Sequence, residues 1–490
     1  MLNKTHKIKF IHYICISYFI LLFIVVLFPL EFILVLLPDD SYYYFEIAKN
    51  VALKGESTFD TINKTNGFQP LWLILLVPIF FFKLDLVLTL RIIILFSGII
   101  LFITLIFIYR LVKLLFDNKT AEFCVMLYAF NPLYIVLNLD GTEAALNGLL
   151  LSGLFYYAFK TNFENMNEKD FLIFGFLLSL SFLTRTDNII LISCIISFAS
   201  FSGMIEIRRE NLKNLFFFTL ALSLLPLIYI SWNLINFNHF LPIGAVVFGQ
   251  SFTSVLIYQM VIIIICSTLG LICRKREYSE KALKIIILLI IAPTLHLSYY
   301  LYNEFAGHGR FAEWYFVLPF ICLTIFASFG LISIFRKITL YSKSSNIKRC
   351  NIKIRALQLT SISLLFIIFV PLIAGGRIDN GARYQASIWI NENTPEDSII
   401  ASANAGCLGY FTDRPLIEIG GLVNSYEFLE KYKRNKTAFL IEGDYDYYLD
   451  RKMYIPLSNP KMEELGLILV TEIEEPRREG WNIEIWYNPS

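Results

Sequence analysis

Two adjacent carboxylates, Asp39 and Asp40, end the first long apolar run of this chain, and Tyr42, Tyr43 and Tyr44 follow at once. The block Thr65-Asn66-Gly67-Phe68-Gln69-Pro70-Leu71-Trp72 closes the same stretch. A general base needs a carboxylate near an incoming hydroxyl and partly shielded from water. The tyrosines and Trp72 would supply that shield, with Tyr43, Asn66, Gln69 and Trp72 as candidate acceptor contacts. A structural reading competes: Asp40 or Ser41 caps a helix running from Tyr42 to Leu53. One Asp capping and the other reacting satisfies both.

Asn138-Leu139-Asp140-Gly141-Thr142-Glu143 is the second acidic element. As a tight turn it needs no more than Asp140 or Thr142 as a cap and Gly141 at the bend. If it meets the first loop, Asp40 and Asp140 could hold a divalent cation through oxygen ligands. The pair equally suits one base and one orienting carboxylate. Arg185-Thr186-Asp187 joins two short apolar runs. It reads either as a self-neutralising pair or as a guanidinium fork for phosphate. In Asn303–Tyr315, Trp314 and Tyr315 read as interface anchors. His308 and Arg310 are candidates for a lipid phosphate; His239 carries no role.

These residues need elements to hold them. The chain is 56% hydrophobic and only 17% charged, with a mean hydropathy of +0.61. A soluble domain could not hide that much apolar surface, so a polytopic membrane protein is expected. Apolar runs fall at about 12–37, 86–109, 121–138, 142–159, 171–184, 188–204, 214–235, 252–272, 284–302, 315–335 and 358–375, some 11 spans. The run 70–82 covers roughly 20 Å, too short for a full crossing. With the N-terminus cytoplasmic and 70–82 dipping in, Arg274-Lys275-Arg276 and the basic stretch Arg336–Arg355 face inward, as the positive-inside rule asks. The first run lacks a small-residue cleavage site and reads as an uncleaved span. The loops 38–85, 140–143 and 185–187 then share the outer face.

Residues 1–375 form the membrane domain in this reading, and 376–490 a small extracytoplasmic α/β domain. Its expected helices are Ala382–Asn391, on the membrane surface, and Ser425–Lys433. Its expected strands are Ser398–Ala401, Pro415–Ile419, Ala438–Ile441, Leu467–Thr471 and Asn482–Trp486. No phosphate loop is present. The eight cysteines are scattered without metal spacing, and the tail has only Cys407. Nothing points to nucleic acid.

The block Asp39 to Tyr44, Ile47-Ala48-Lys49-Asn50 and Thr65 to Trp72 resembles the first outer loop of the GT-C superfamily of membrane glycosyltransferases. It is more distantly similar to the protein O-mannosyltransferases and the lipid A aminoarabinose transferase. Gly141-Thr142-Glu143, Thr184 to Asp187, Arg310 through Tyr315, Ala405 to Arg414 and Gly421 to Asn424 extend the likeness. Unlike those two families, Gln69-Pro70 has no second proline and no lysine before it. The resemblance implies transfer of a hexosyl or pentosyl unit from a polyprenyl phosphate to a glycan, lipid or protein acceptor at the outer membrane face. It implies Asp39 as base, with Asp40 as alternative, and a second acid at Asp140 or Glu143. Arg185, Arg310 and His308 fall to the donor phosphate, and a divalent cation is open. Two rival readings are a transporter or flippase of a lipid-linked glycan and a glycan-binding scaffold. A transporter should show midplane charges and paired repeats; here the charges gather on one face and no repeat is seen.

Overall fold

A computed structural model describes residues 10–161, 167–201, 212–246, 280–305, 313–341, 363, 380–432, 435–475 and 481–489. The expected run 252–272, the run 358–375 apart from residue 363, the boundary at 375, and His308 and Arg310 lie outside the described residues.

The helices begin with α1 (Phe10–Val26), α2 (Leu30–Leu36), α3 (Asp39–Lys54), α4 (Pro70–Phe80) and α5 (Leu86–Leu115). There follow α6 (Asn118–Ala129), α7 (Pro132–Leu139), α8 (Ala144–Lys160), α9 (Glu168–Thr184), α10 (Ile189–Phe201) and α11 (Leu212–Phe237). Two further long helices span Glu280–Phe305 and Val317–Tyr341. Among the described residues, three helices are long and apolar enough to cross a membrane: Leu86–Leu115, Leu212–Phe237 and Val317–Arg336.

Two expected runs are broken. The run 12–37 is α1 and α2 meeting at 108°, and 121–138 is α6 and α7 meeting at 65°. Each second helix opens beside a proline, Pro29 or Pro132. Proline cannot continue a helix from its interior but suits a first turn. The first acidic pair also sits differently from expectation. Pro38 is the N-cap of α3 with φ −67°, so the helix starts at Asp39 rather than Tyr42. Both acids lie in its first turn, where the helix dipole favours negative charge.

The tail carries a mixed five-stranded sheet in the order β2-β1-β3-β5-β4. The strands are β1 (Ile400–Ser402), β2 (Leu416–Glu418), β3 (Tyr447–Arg451), β4 (Ile468–Ile473) and β5 (Ile483–Tyr487). β1 runs parallel to β2 and β3, and β5 antiparallel to β3 and β4. Four of the five expected strands are present within a residue or two. Ala438–Ile441 is instead helical, inside Lys436–Glu442, because Asn435 caps that helix by accepting from Ala438 N. The missing strand is β3.

The tail core divides. Tyr448, Trp486 and Met462 form a cluster of the sheet's own. Ala386, Ile390, Leu408 and Tyr410 join the main core with α3 residues such as Tyr42 and Phe45. The expected surface helix is Gly381–Asn393, and its cap residue Asn380 donates to Leu37 O at 2.8 Å. It is therefore fastened to the α2–α3 junction.

α9 and α11 pack against each other, and Gly175 lies in their contact. A Cβ there would lie 2.6 Å from Phe218 O, a backbone atom that cannot step aside. Small residues let helix backbones meet in this way. Gly175→Ala is expected to destabilise the fold by about 1–3 kcal/mol through overpacking. Thermal unfolding of the purified chain in detergent measures this; an unchanged midpoint would contradict the close crossing.

Candidate functional site

Three loops expected to share a face come together around the first turn of α3. Ser41 Oγ donates to Asp140 O, Trp72 Nε1 to Gly141 O at 2.9 Å, and Tyr44 OH to Glu143 Oε2 at 2.9 Å. Gln69 ties loop one to loop three: its Oε1 accepts from Thr186 N at 3.2 Å, and its own N donates to Tyr44 OH at 3.3 Å. At the centre lies Arg185, 1% exposed. Its Nε and Nη2 each reach Asp187 at 3.1 Å, its Nη1 pairs with Glu143, and Tyr315 stacks 3.9 Å from the guanidinium. His296 Nε2 lies 3.7 Å from Asp187. All three guanidinium nitrogens are thus engaged by carboxylates. The self-neutralising reading of Arg185-Asp187 holds, enlarged by Glu143.

Above this network is a cavity of about 100 Å³. Asp40, Tyr43, Tyr44, Gln69, Glu143, Thr186 and Tyr315 line it, with Leu422 and Val423 from the tail. Among the described residues lining it there is no Lys, Arg or His. Asp39, one position earlier on α3, does not line it. Its carboxylate accepts from Gly406 N at 3.2 Å and Cys407 N at 2.9 Å, and lies 3.5 Å from Arg383 Nη1. Those amides open the short helix Gly406–Phe411, so Asp39 acts as a latch on the tail. Tyr43 OH accepts from Ala405 N at 3.2 Å beside it.

The other predicted residues stand behind the cavity. Asp140 is fully buried, and its Oδ1 accepts from Thr142 N at 2.9 Å and Thr142 Oγ1 at 2.7 Å, the turn anticipated for it. Asn66, also fully buried, donates to Asn233 Oδ1 at 3.0 Å and accepts from Ile243 N at 2.9 Å. Trp72 stacks on Phe96 below the loops. Arg185 touches the site only through its partners. His239 stacks on Tyr426 of the tail, 3.8 Å between ring centres.

Of the pair considered for a metal, Asp40 lines the cavity, while Asp140 is buried outside its lining with Oδ1 held by Thr142. Among the described residues no group of three or more His, Cys, Asp or Glu suits a metal ion.

Glu418 escaped the sequence reading. It is buried at the end of β2, and its carboxylate accepts from Gly420 N at 2.6 Å and Leu422 N at 2.7 Å. It thereby shapes the loop that brings Leu422 and Val423 to the cavity. Gly67 of the first loop packs against that loop: a Cβ there would lie 2.2 Å from Leu422 O. A glutamate two residues before Gly420-Gly421 is the signal that was present. Burial pushes the Glu418 carboxyl up to about 7, against the pull of its backbone donors.

A family model described as dolichyl-phosphate-mannose-protein mannosyltransferase matches residues 71–232, and one of a domain of unknown function matches 375–481. No curated protein matches in sequence. Among solved structures, ArnT from Cupriavidus metallidurans bound to undecaprenyl phosphate aligns at 12% identity and TM-score 0.56, over 97% of this chain and 98% of that one. The Archaeoglobus fulgidus oligosaccharyltransferase AglB, with an inhibitory peptide and a dolichol-phosphate, aligns at 13% and 0.55 over 92% and 70%. The mycobacterial arabinofuranosyltransferase AftD aligns at 11% and 0.51 over 97% and 41%. The fold is that of the GT-C glycosyltransferases, as the first loop led one to expect.

Two outcomes follow from the geometry. Arg185→Met leaves Glu143 and Asp187 buried without their cation. It should cost about 3–5 kcal/mol of stability, read as a fall in the thermal midpoint; an unshifted midpoint would mean the triad is not load-sharing. For Glu418, the folded value of about 7 exceeds the ordinary 4.5. Between those values the folded chain binds the extra proton, so stability should fall as pH rises from 5 to 8. Glu418→Gln should flatten that slope, and an equal slope in both proteins would clear Glu418 of the effect.

Proposed function

We propose that this chain is a membrane glycosyltransferase moving a monosaccharide from a polyprenyl-phosphate donor to an acceptor hydroxyl or amide at the outer face. The observation that carries this reading is Asp40, a carboxylate lining a cavity where three loops and the tail meet, on a GT-C fold. The base role moves from Asp39 to Asp40, since Asp39 is committed to the tail amides.

In the proposed step Asp40 takes the acceptor proton as the acceptor attacks the anomeric carbon. The anomeric carbon–oxygen bond breaks, and the polyprenyl phosphate leaves with the bonding pair, inverting the centre. A positioned base of this kind contributes about 10²–10⁴ in rate. Gln69 and the Tyr44–Glu143 pair fix the wall facing Asp40. Tyr43 stands between both functions, lining the cavity and holding Ala405. Arg310 and His308 remain the proposed cations for the leaving phosphate, and lipid-facing helix surfaces the groove for its chain. In this reading the protein is an integral multi-pass membrane protein, its N-terminus cytoplasmic and its tail extracytoplasmic.

The test is transfer from a panel of radiolabelled polyprenyl-phosphate sugars, with and without chelator. Asp40→Asn should lose about 10²–10⁴-fold in kcat while the thermal midpoint holds. Asp39→Asn keeps one oxygen for the tail amides and should lose only about tenfold, the worth of a hydrogen bond. The reverse ranking would return the base to Asp39. A mutant Asp40→Asn that transfers normally would sink the mechanism.

A further inference from the structure

α3 carries two stripes of side chains. Asp40, Tyr43 and Tyr44 face the cavity already described. Glu46, Lys49, Asn50 and Leu53 recur at helical spacing on a neighbouring face and line a second, larger cavity of about 380 Å³. Its opposite wall is the tail segment from Thr412 to Leu416, and its side is the first-loop turn at Phe59 and Asp60. At 1.5 Å per residue the second stripe lies about 9–20 Å along the helix from Asp40.

The chemistry of this cavity is specific. Lys49, Lys54 and Arg414 are balanced by Glu46, Asp60 and Asp413, so the lining favours neither a polyanion nor a cation. Arg414 is also occupied, donating to the carbonyls of Pro395, Thr394 and Asn391. The carboxylates are built in rather than loose. Glu46 is held by Lys49 at 2.6 Å and Asn50 at 3.3 Å. Asp60 accepts from Ile62 N and Asn63 N at 2.8 and 2.6 Å. Phe59 adds an apolar ring, braced against Tyr43 at 5.2 Å between ring centres. Fixed carboxylates, an amide and an aromatic face in a charge-balanced pocket match a neutral ligand rich in hydroxyl groups. The volume is in the range of ligand sites of roughly 300–1,000 Å³.

We infer that this second cavity binds a neutral oligosaccharide. Resting on the transferase reading, its occupant is the part of a glycan acceptor that trails behind the reacting hydroxyl at Asp40. The site would select acceptors by their distal sugars, and α3 would be the ruler between selection and chemistry.

The test uses the full chain in lipid nanodiscs on an array of neutral and acidic oligosaccharides. Leu53 and Asp413 are exposed on the cavity rim, so Leu53→Trp and Asp413→Trp fill it from opposite sides without disturbing the core. Neutral oligosaccharides should bind the unaltered chain, and at least tenfold more weakly both filled variants. Three results overturn the inference: no neutral glycan retained, acidic glycans retained alone, or binding by both filled variants as tight as by the unaltered chain. Loss of the transferase reading is separately visible, because neutral glycans would then bind as expected while the unaltered chain transfers no sugar.

Discussion

The buried ion group around Arg185 is the constraint on which the rest of the site depends. Three loops, distant in sequence, each contribute: Glu143 from the second, Arg185 and Asp187 from the third, and Tyr44 and Gln69 from the first. Taking such charges out of water is expensive unless each is paired and hydrogen-bonded. A loop that drifted by a few ångströms would strand a charge in a low-dielectric setting. The group therefore fixes loop positions that chain connectivity alone leaves open, and the cavity wall facing Asp40 inherits that rigidity.

The tail is the fourth wall rather than an appendage. Asp39 grips its amides, Tyr43 grips Ala405, and Glu418 bends the Gly420–Val423 turn down toward Gly67. Two adjacent aspartates thus serve different ends of one design. Neighbouring positions on a helix point about 100° apart, so the first can reach the tail while the second meets the cavity.

Much of this was legible in the sequence, and the exceptions have physical causes. Long uniform apolar runs such as Leu86–Leu115 declare themselves, and the polar residues interrupting them mark the loops that meet. The bends at Pro29 and Pro132 were readable from proline but were masked by the apolar character on both sides. Short apolar runs do not distinguish strand from helix, and Ala438–Ile441 went to helix because of the Asn435 cap. β3 went unseen because Tyr447–Arg451 ends in Asp450 and Arg451. A strand buried on both faces was not expected to carry two charges, yet they are 2% and 1% exposed. The division of labour between Asp39 and Asp40 was invisible for a different reason. It is set by amides of residues 406 and 407, more than three hundred and sixty positions away.

The same electrostatics bears on where a departing phosphate would find its cation. If Arg185 served, it would have to loosen its hold on Glu143 or Asp187, and a buried carboxylate stripped of its partner costs several kcal/mol. That cost would fall in the very step the cation is meant to ease. A cation that begins the cycle outside the triad avoids it. Such a residue is bound only when the donor arrives, and its favourable interaction is kept for the charge that develops on the phosphate. On the proposed reading that part falls to His308 and Arg310, which shortly precede in sequence the Glu313–Phe316 turn whose Tyr315 stacks on Arg185. On the proposed reading, Arg185 then shapes the site and a second arginine works in it.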